Sequence, residues 1–94
     1  MEHSETPGEQ TLPEIDFGTF IMSLATSALM HLGEGESPEV DFPLAKQTID
    51  IIGMLQDKTR GNLSKDEAKM LEDLLYDLRL RYLSARKQHT EKGS

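Results

Sequence analysis

His31, a scatter of carboxylates and a short run of arginines are the side chains in this 94-residue chain whose types and spacing could do chemistry. A lone histidine serves as a general base only with a proton-exchanging partner, such as Asp50 or Asp77, within about 3 Å or one water. It can also cap the C-terminal carbonyls of its own helix, where partial positive charge is favoured. Its place at the end of an apolar stretch favours the capping role. One histidine in the folded part, with no cysteine anywhere in the chain, is a weak metal signature, and no cofactor or metal is expected. Asp50, Asp57, Glu72, Asp73 and Asp77 could supply a carboxylate pair for acid–base work. The four-residue spacings Lys46/Asp50, Lys69/Asp73 and Asp77/Arg81 read instead as ion pairs on helix surfaces. No serine has a triad, and the glycines spell no phosphate-binding loop. An enzyme with a site shared between chains around His31 is therefore a distant alternative.

Arg79, Arg81, Arg86 and Lys87, with Tyr76 and Tyr82, form the one basic and aromatic region. Interleaved arginine and tyrosine can hold a nucleic-acid backbone and stack its bases. However, Tyr82 falls on an apolar helix stripe, and the arginines are spread around the helix. A solvated helix end, where cations are favoured, accounts for them, and nucleic-acid binding stands as the alternative function.

Three helical segments must position these groups. Asp16 caps the first, which runs to about Leu32 and ends at Gly33. Asp41 caps the second, from Phe42 to about Thr59, with Pro43 tolerated in its first turn. Ser64-Lys65-Asp66-Glu67 is a capping box that opens the third, which is expected to reach about Arg86. No stretch alternates as a strand does. Residues 1–13 read as a disordered acidic tail, 14–87 as one helical domain and 88–94 as a flexible C-terminal tail.

Charge is unevenly placed. Residues 1–42 carry nine acids and no Lys or Arg, while 43–94 carry eight acids and ten bases, for a net −7. That balance argues against broad nucleic-acid binding. The absence of cysteine fits a reducing cytosol, and the acidic N-terminus lacks the basic-then-apolar pattern of a signal peptide. Phe17–Leu32 is sixteen uncharged residues, short of the roughly 20 that span a bilayer. A cytoplasmic chain with no membrane span is expected.

The helix faces suggest association. On a wheel at about 100° per residue, Leu44, Ala45, Thr48, Ile49, Ile51, Ile52 and Leu55 share one face of the second helix. In the first helix, Phe17, Phe20, Ile21, Met22, Leu24, Ala25, Ala28, Leu29 and Leu32 cover more than half the circumference. The remainder, Thr19, Ser23, Thr26, Ser27 and Met30, is small or uncharged, which implies a helix surrounded by protein. The third helix has a main stripe of Ala68, Leu71, Leu74, Leu75, Leu78, Tyr82 and Ala85. Tyr76, Leu80 and Leu83 form a second stripe about 150° away. Homo-oligomerisation through Phe20, Ser23, Thr26, Ser27, Met30, Tyr76, Leu80 and Leu83 would cover both surfaces. Gln47, Asp50, Met54 and Lys58 make a mixed face on the second helix suited to a further partner.

Several strings carry a family likeness: Asp16-Phe17-Gly18-Thr19-Phe20, Ser23-Leu24-Ala25-Thr26-Ser27-Ala28-Leu29, His31-Leu32-Gly33, Leu44-Ala45-Lys46-Gln47-Thr48-Ile49-Asp50, Gly53-Met54-Leu55, Lys58-Thr59-Arg60-Gly61-Asn62-Leu63 and Leu74-Leu75-Tyr76-Asp77-Leu78-Arg79. They resemble a family of small bacterial proteins described as a domain of unknown function, over Phe17 to about Leu83. The resemblance implies a bacterial, cytoplasmic, helical protein and brings no activity, substrate or catalytic residue. The expectation is an all-α protein of three principal helices in a small bundle, completed by homo-oligomerisation. Its leading function is non-enzymatic binding of itself and of a further, unidentified protein, as an adaptor, a small regulator or a complex subunit.

Overall fold

The computed structural model describes residues 15–34 and 39–93; the acidic tail expected at 1–13 lies outside them. Local chemistry sets the helix starts. The α1 helix, Phe17–His31, begins where the Asp16 carboxylate accepts the Thr19 backbone N–H at 2.8 Å. The α2 helix, Phe42–Lys58, begins in the same way, with Asp41 accepting from the Leu44 N–H at 3.0 Å and proline in the first turn. The capping box opens α3, Lys65–Gly93. There the Glu67 N–H donates to the Ser64 hydroxyl at 3.1 Å, and the Ser64 N–H donates to the Glu67 carboxylate at 2.9 Å. No strand occurs among the described residues.

The end of α1 is built around Gly33. Its φ of 89° lies in the left-handed region that glycine enters freely. The Gly33 N–H donates to the Met30 carbonyl and the Glu34 N–H to the Leu29 carbonyl, both at 3.0 Å. These bonds help satisfy the carbonyls of the last helical turn. The Asp41 N–H then donates to the His31 carbonyl at 2.7 Å, joining the end of α1 to the start of α2.

Each helix buries one stripe at three- and four-residue spacing. Ile21, Ala25 and Ala28 of α1 meet Ala45, Ile49 and Ile52 of α2 and Leu71, Leu75 and Leu78 of α3 in one enclosed core. Thr48 is also buried, and its hydroxyl donates to the Leu44 carbonyl at 2.9 Å, so no polar group is left unsatisfied there. Two expected core positions differ. Ala68 is exposed, and Met70, on another side of α3, packs against the core. Leu44 is 43% exposed. Each lies at the margin of its stripe, where the neighbouring helix no longer covers it.

The α3 helix runs past the end expected at Arg86, so the stretch from Gln88 to Gly93, read above as a flexible tail, is helical. No glycine or proline interrupts it before Gly93. Tertiary contacts also hold it. The Phe42 ring meets Tyr82 edge-on at 5.8 Å and His89 at 5.4 Å, with the Arg86 guanidinium 5.3 Å from its centroid. Aromatic edge contacts and a cation over a ring face are both attractive. The start of α2 thus holds the last turns of α3.

Two predictions follow from the caps. Ser64→Ala removes the acceptor for the Glu67 N–H and is expected to lower stability by about 1 kcal/mol in chemical denaturation. The Thr19 backbone N–H holds the Asp16 carboxyl below its ordinary value of 3.8. A carboxyl lowered in the folded state stabilises at pH values above its unfolded pKa, and that contribution is lost as pH falls through the folded pKa. The Thr19 amide resonance is therefore expected to titrate with a midpoint below 3.8. Asp16→Asn keeps a cap but abolishes the titration.

Candidate functional site

The groups with chemical potential are dispersed over the bundle. His31 closes the last turn of α1 and is half-buried, beside Glu39 and Asp41 in a hollow between α1 and the start of α2. Asp50 and Asp77, the carboxylates expected to partner it, lie elsewhere. Asp50 accepts from Lys46 at 2.7 Å, and that bond raises the lysine's pKa. Asp77 accepts from Arg81 at 2.8 Å. Lys69 pairs with Asp73 at 3.1 Å as its spacing implied, and Arg60 pairs with Asp57 at 2.7 Å. Among the described residues no ion pair involves His31, and no group of three His, Asp or Glu side chains is placed to hold a metal ion.

The basic region is also spread out. Arg81 donates to Asp77 and, at 2.9 Å, to Glu34 in the connection after α1. The two carboxylates, Asp77 first, hold its pKa above the ordinary value. Arg86 lies over the Phe42 and Tyr82 rings. Arg79 lies along α2, with one guanidinium nitrogen 3.1 Å from where a Cβ on Gly53 would stand. Lys87 is exposed. The four cations expected to act together thus serve four different surroundings.

What the bundle does present is uncovered apolar surface, on two sides of α2. On one side is the outer face of α1, where Phe20, Met22, Ser23, Thr26, Ser27 and Met30 are exposed. No charge interrupts them. The Ser23 hydroxyl donates to the Thr19 carbonyl at 3.1 Å and the Thr26 hydroxyl to the Met22 carbonyl at 2.9 Å. Both hydroxyl protons are thus used within the helix. Ser27 and Met30 border the hollow that also holds His31, Val40 and Leu44. On the other side, Leu83 lines a groove between α2 and α3 with Lys46, Ile49, Arg79 and Tyr82. Tyr76 and Leu80 continue the stripe along α3, where Tyr76 is 68% and Leu83 62% exposed. The residues expected to form one oligomer interface therefore occupy two surfaces.

The mixed face expected on α2 is exposed throughout, at Gln47, Asp50, Met54 and Lys58. Gln47, Asp50 and Met54 share a shallow depression with Pro43 and Ile51, and Lys58 lies beyond it.

The family described as "Domain of unknown function (DUF1844)" matches residues 14–84. The chain belongs to this family. The comparisons with curated proteins and with solved structures found no match. The DUF1844 match spans α1, α2 and most of α3, so both uncovered surfaces fall within it. Among the described residues of this DUF1844 chain, no helix is long and apolar enough to cross a membrane.

Sequence reasoning missed Leu44 and Val40 as surface residues. The signal for Val40 was its place in an acidic connection between helices; it is 38% exposed. Gly53 also gains a role: the missing side chain lets Arg79 lie against α2. Because Arg79 contacts Gly53 through the tip of a flexible, exposed side chain, Gly53→Ala should displace the guanidinium slightly. It is expected to raise stability by about 0.5–1 kcal/mol through helix propensity, read as a higher denaturation midpoint with an unchanged slope.

Proposed function

We propose that this chain is a non-enzymatic protein-binding module, working as an adaptor, a small regulator or a subunit of a larger complex. One observation carries the reading: large apolar side chains lie open on two separate surfaces of a domain whose own core is already closed. Contiguous exposed apolar surface of this kind marks association sites. Burying what Tyr76, Leu80 and Leu83 still expose, between 49% and 68% of each, would contribute roughly 2–5 kcal/mol. The depression around Gln47, Asp50 and Met54 on α2 lies beside the groove and offers polar contacts at its rim, with Lys58 beyond. Self-association belongs to the same proposal. So does a bacterial cytoplasmic setting, which the cysteine-free composition and the likeness to small bacterial proteins support.

The arginines lend nucleic-acid binding less support, because Arg81 is engaged by two carboxylates and Arg86 by two rings. A site around His31 has its own neighbours, Glu39 and Asp41, but not the carboxylates expected to work with it.

Photo-crosslinking in the native cell tests the reading. A benzophenone amino acid in place of Leu83 is expected to give a discrete protein adduct that the same group in place of Lys69 does not give. The adduct should disappear when Leu80→Glu is added. No adduct, or the same products from both positions, would sink the proposal for this surface.

A further inference from the structure

Along the outer face of α1, Phe20, Ser23, Ser27 and Met30 alternate large, small, small, large at spacings of three, four and three. All four are exposed. Positions 20 and 30, and positions 23 and 27, are symmetric about residue 25, so the stripe reads alike from either end. Two such helices packed antiparallel about a two-fold axis near residue 25 bring Phe20 of one copy to Met30 of the other. Ser23 then faces Ser27. The small residues sit at the centre, where the backbones come closest, and the large ones sit about 15 Å apart along each helix.

Beside Met30 is the hollow bordered by Ser27, His31, Glu39, Val40, Asp41 and Leu44, about 460 Å³ in volume, with its two carboxylates on the α2 side, away from the proposed axis. That is within the roughly 300–1,000 Å³ of pockets that accept organic groups. Phe20 is 41% exposed and does not belong to the buried cluster of its own chain. In the antiparallel pair, Phe20 of each copy lies over the hollow of the other. Knob and hole on one face of one chain is the self-complementarity that an isologous interface requires.

Charge points the same way. A charged side chain near a two-fold axis meets its own like charge, so the centre of a homodimer interface favours neutral residues. The exposed positions from Thr19 to Met30 carry no charge, in a chain whose net charge is −7. A different partner protein would face no such restriction and would ordinarily offer complementary charges.

We infer that the outer face of α1 is a homodimer interface, occupied by a second copy of this chain packed antiparallel, with Phe20 seated in the hollow beside Met30. The inference rests on the protein-binding reading and names the partner for one of its two surfaces; the α3 stripe stays free for another protein.

Equilibrium sedimentation of the full chain over a range of concentrations is expected to give a dimer. Ser27→Glu places like charges across the axis and is expected to raise the dissociation constant by about a hundredfold. Ser27 is exposed in the single chain, so the helical circular dichroism should be unchanged. Association should tighten with added salt, which screens the repulsion between two acidic chains. Because the protein has no cysteine, Ser23→Cys and Ser27→Cys chains can be mixed and oxidised, and the mixed disulfide is expected to predominate. A monomer at every concentration, a dimer indifferent to Ser27→Glu, association that weakens with salt, or a predominance of like-with-like disulfides would each overturn the inference. None of these outcomes bears on crosslinking at position 83, so the wider reading stands or falls separately.

Discussion

Ala25 and Ala28 of α1 and Ala45 of α2 are enclosed, and each puts only a methyl group into the space between the helices. Leu71, Leu75 and Leu78 fill that space from α3, each at most 1% exposed. The alanines, set between Ile21 of α1 and Ile49 and Ile52 of α2, and the leucines of α3 together fix the separation and register of all three helices, because a packed interior tolerates neither voids nor added methylenes. The stripe on α3 can point at both neighbours only if α3 lies in the trough between them. That placement determines which faces remain outside: the far side of α1, the outer stripe of α3 and the mixed face of α2.

The joint between α1 and α2 is the second fixed point. Gly33 turns the chain, Asp41 both ties back to the His31 carbonyl and starts α2, and Glu34 reaches across to Arg81. Phe42 follows at once and takes hold of Tyr82, Arg86 and His89. Gly33 and Glu34 on one side of the connection and Asp41 and Phe42 on the other therefore end one helix, begin the next and anchor the end of the third. The hollow beside Met30 lies at this joint, between the end of α1 and the start of α2.

Much of this was legible in the sequence where the determinants are local. Asp16, Asp41 and the Ser64/Glu67 pair specify helix starts through hydrogen bonds three residues long, and Lys46/Asp50 and Asp77/Arg81 are one helical turn apart. The leucines of α3 declare their face by spacing alone. What depends on packing was not legible. The Glu34–Arg81 pair joins residues 47 apart, and the Phe42 cluster needs the antiparallel run of α2 and α3. Ala68 and Met70 stand about 160° apart on a wheel, so periodicity did not point to Met70, whose long side chain reaches Gly18 at the start of α1. The same limit explains why the apolar residues of α1 and α3 looked like one surface: a wheel gives directions around each helix but not where the helices stand. The end of α3 was placed at Arg86 on polar composition, whereas Phe42 and the lack of a stop residue carry it on.

The back-bonded hydroxyls of α1 have a consequence for how water meets this protein. By residue type, Thr19, Ser23, Thr26 and Ser27 count as hydrophilic. With the protons of Ser23 and Thr26 turned onto carbonyls one turn behind, these two side chains offer water acceptors but no donor, and they are flanked by Phe20, Met22 and Met30. Salts that are excluded from poorly wetted surfaces act on such a face much as on hydrocarbon. A chain this acidic would be expected to elute early from a hydrophobic-interaction column, yet this face favours retention on it, for a reason that a count of its polar residues conceals.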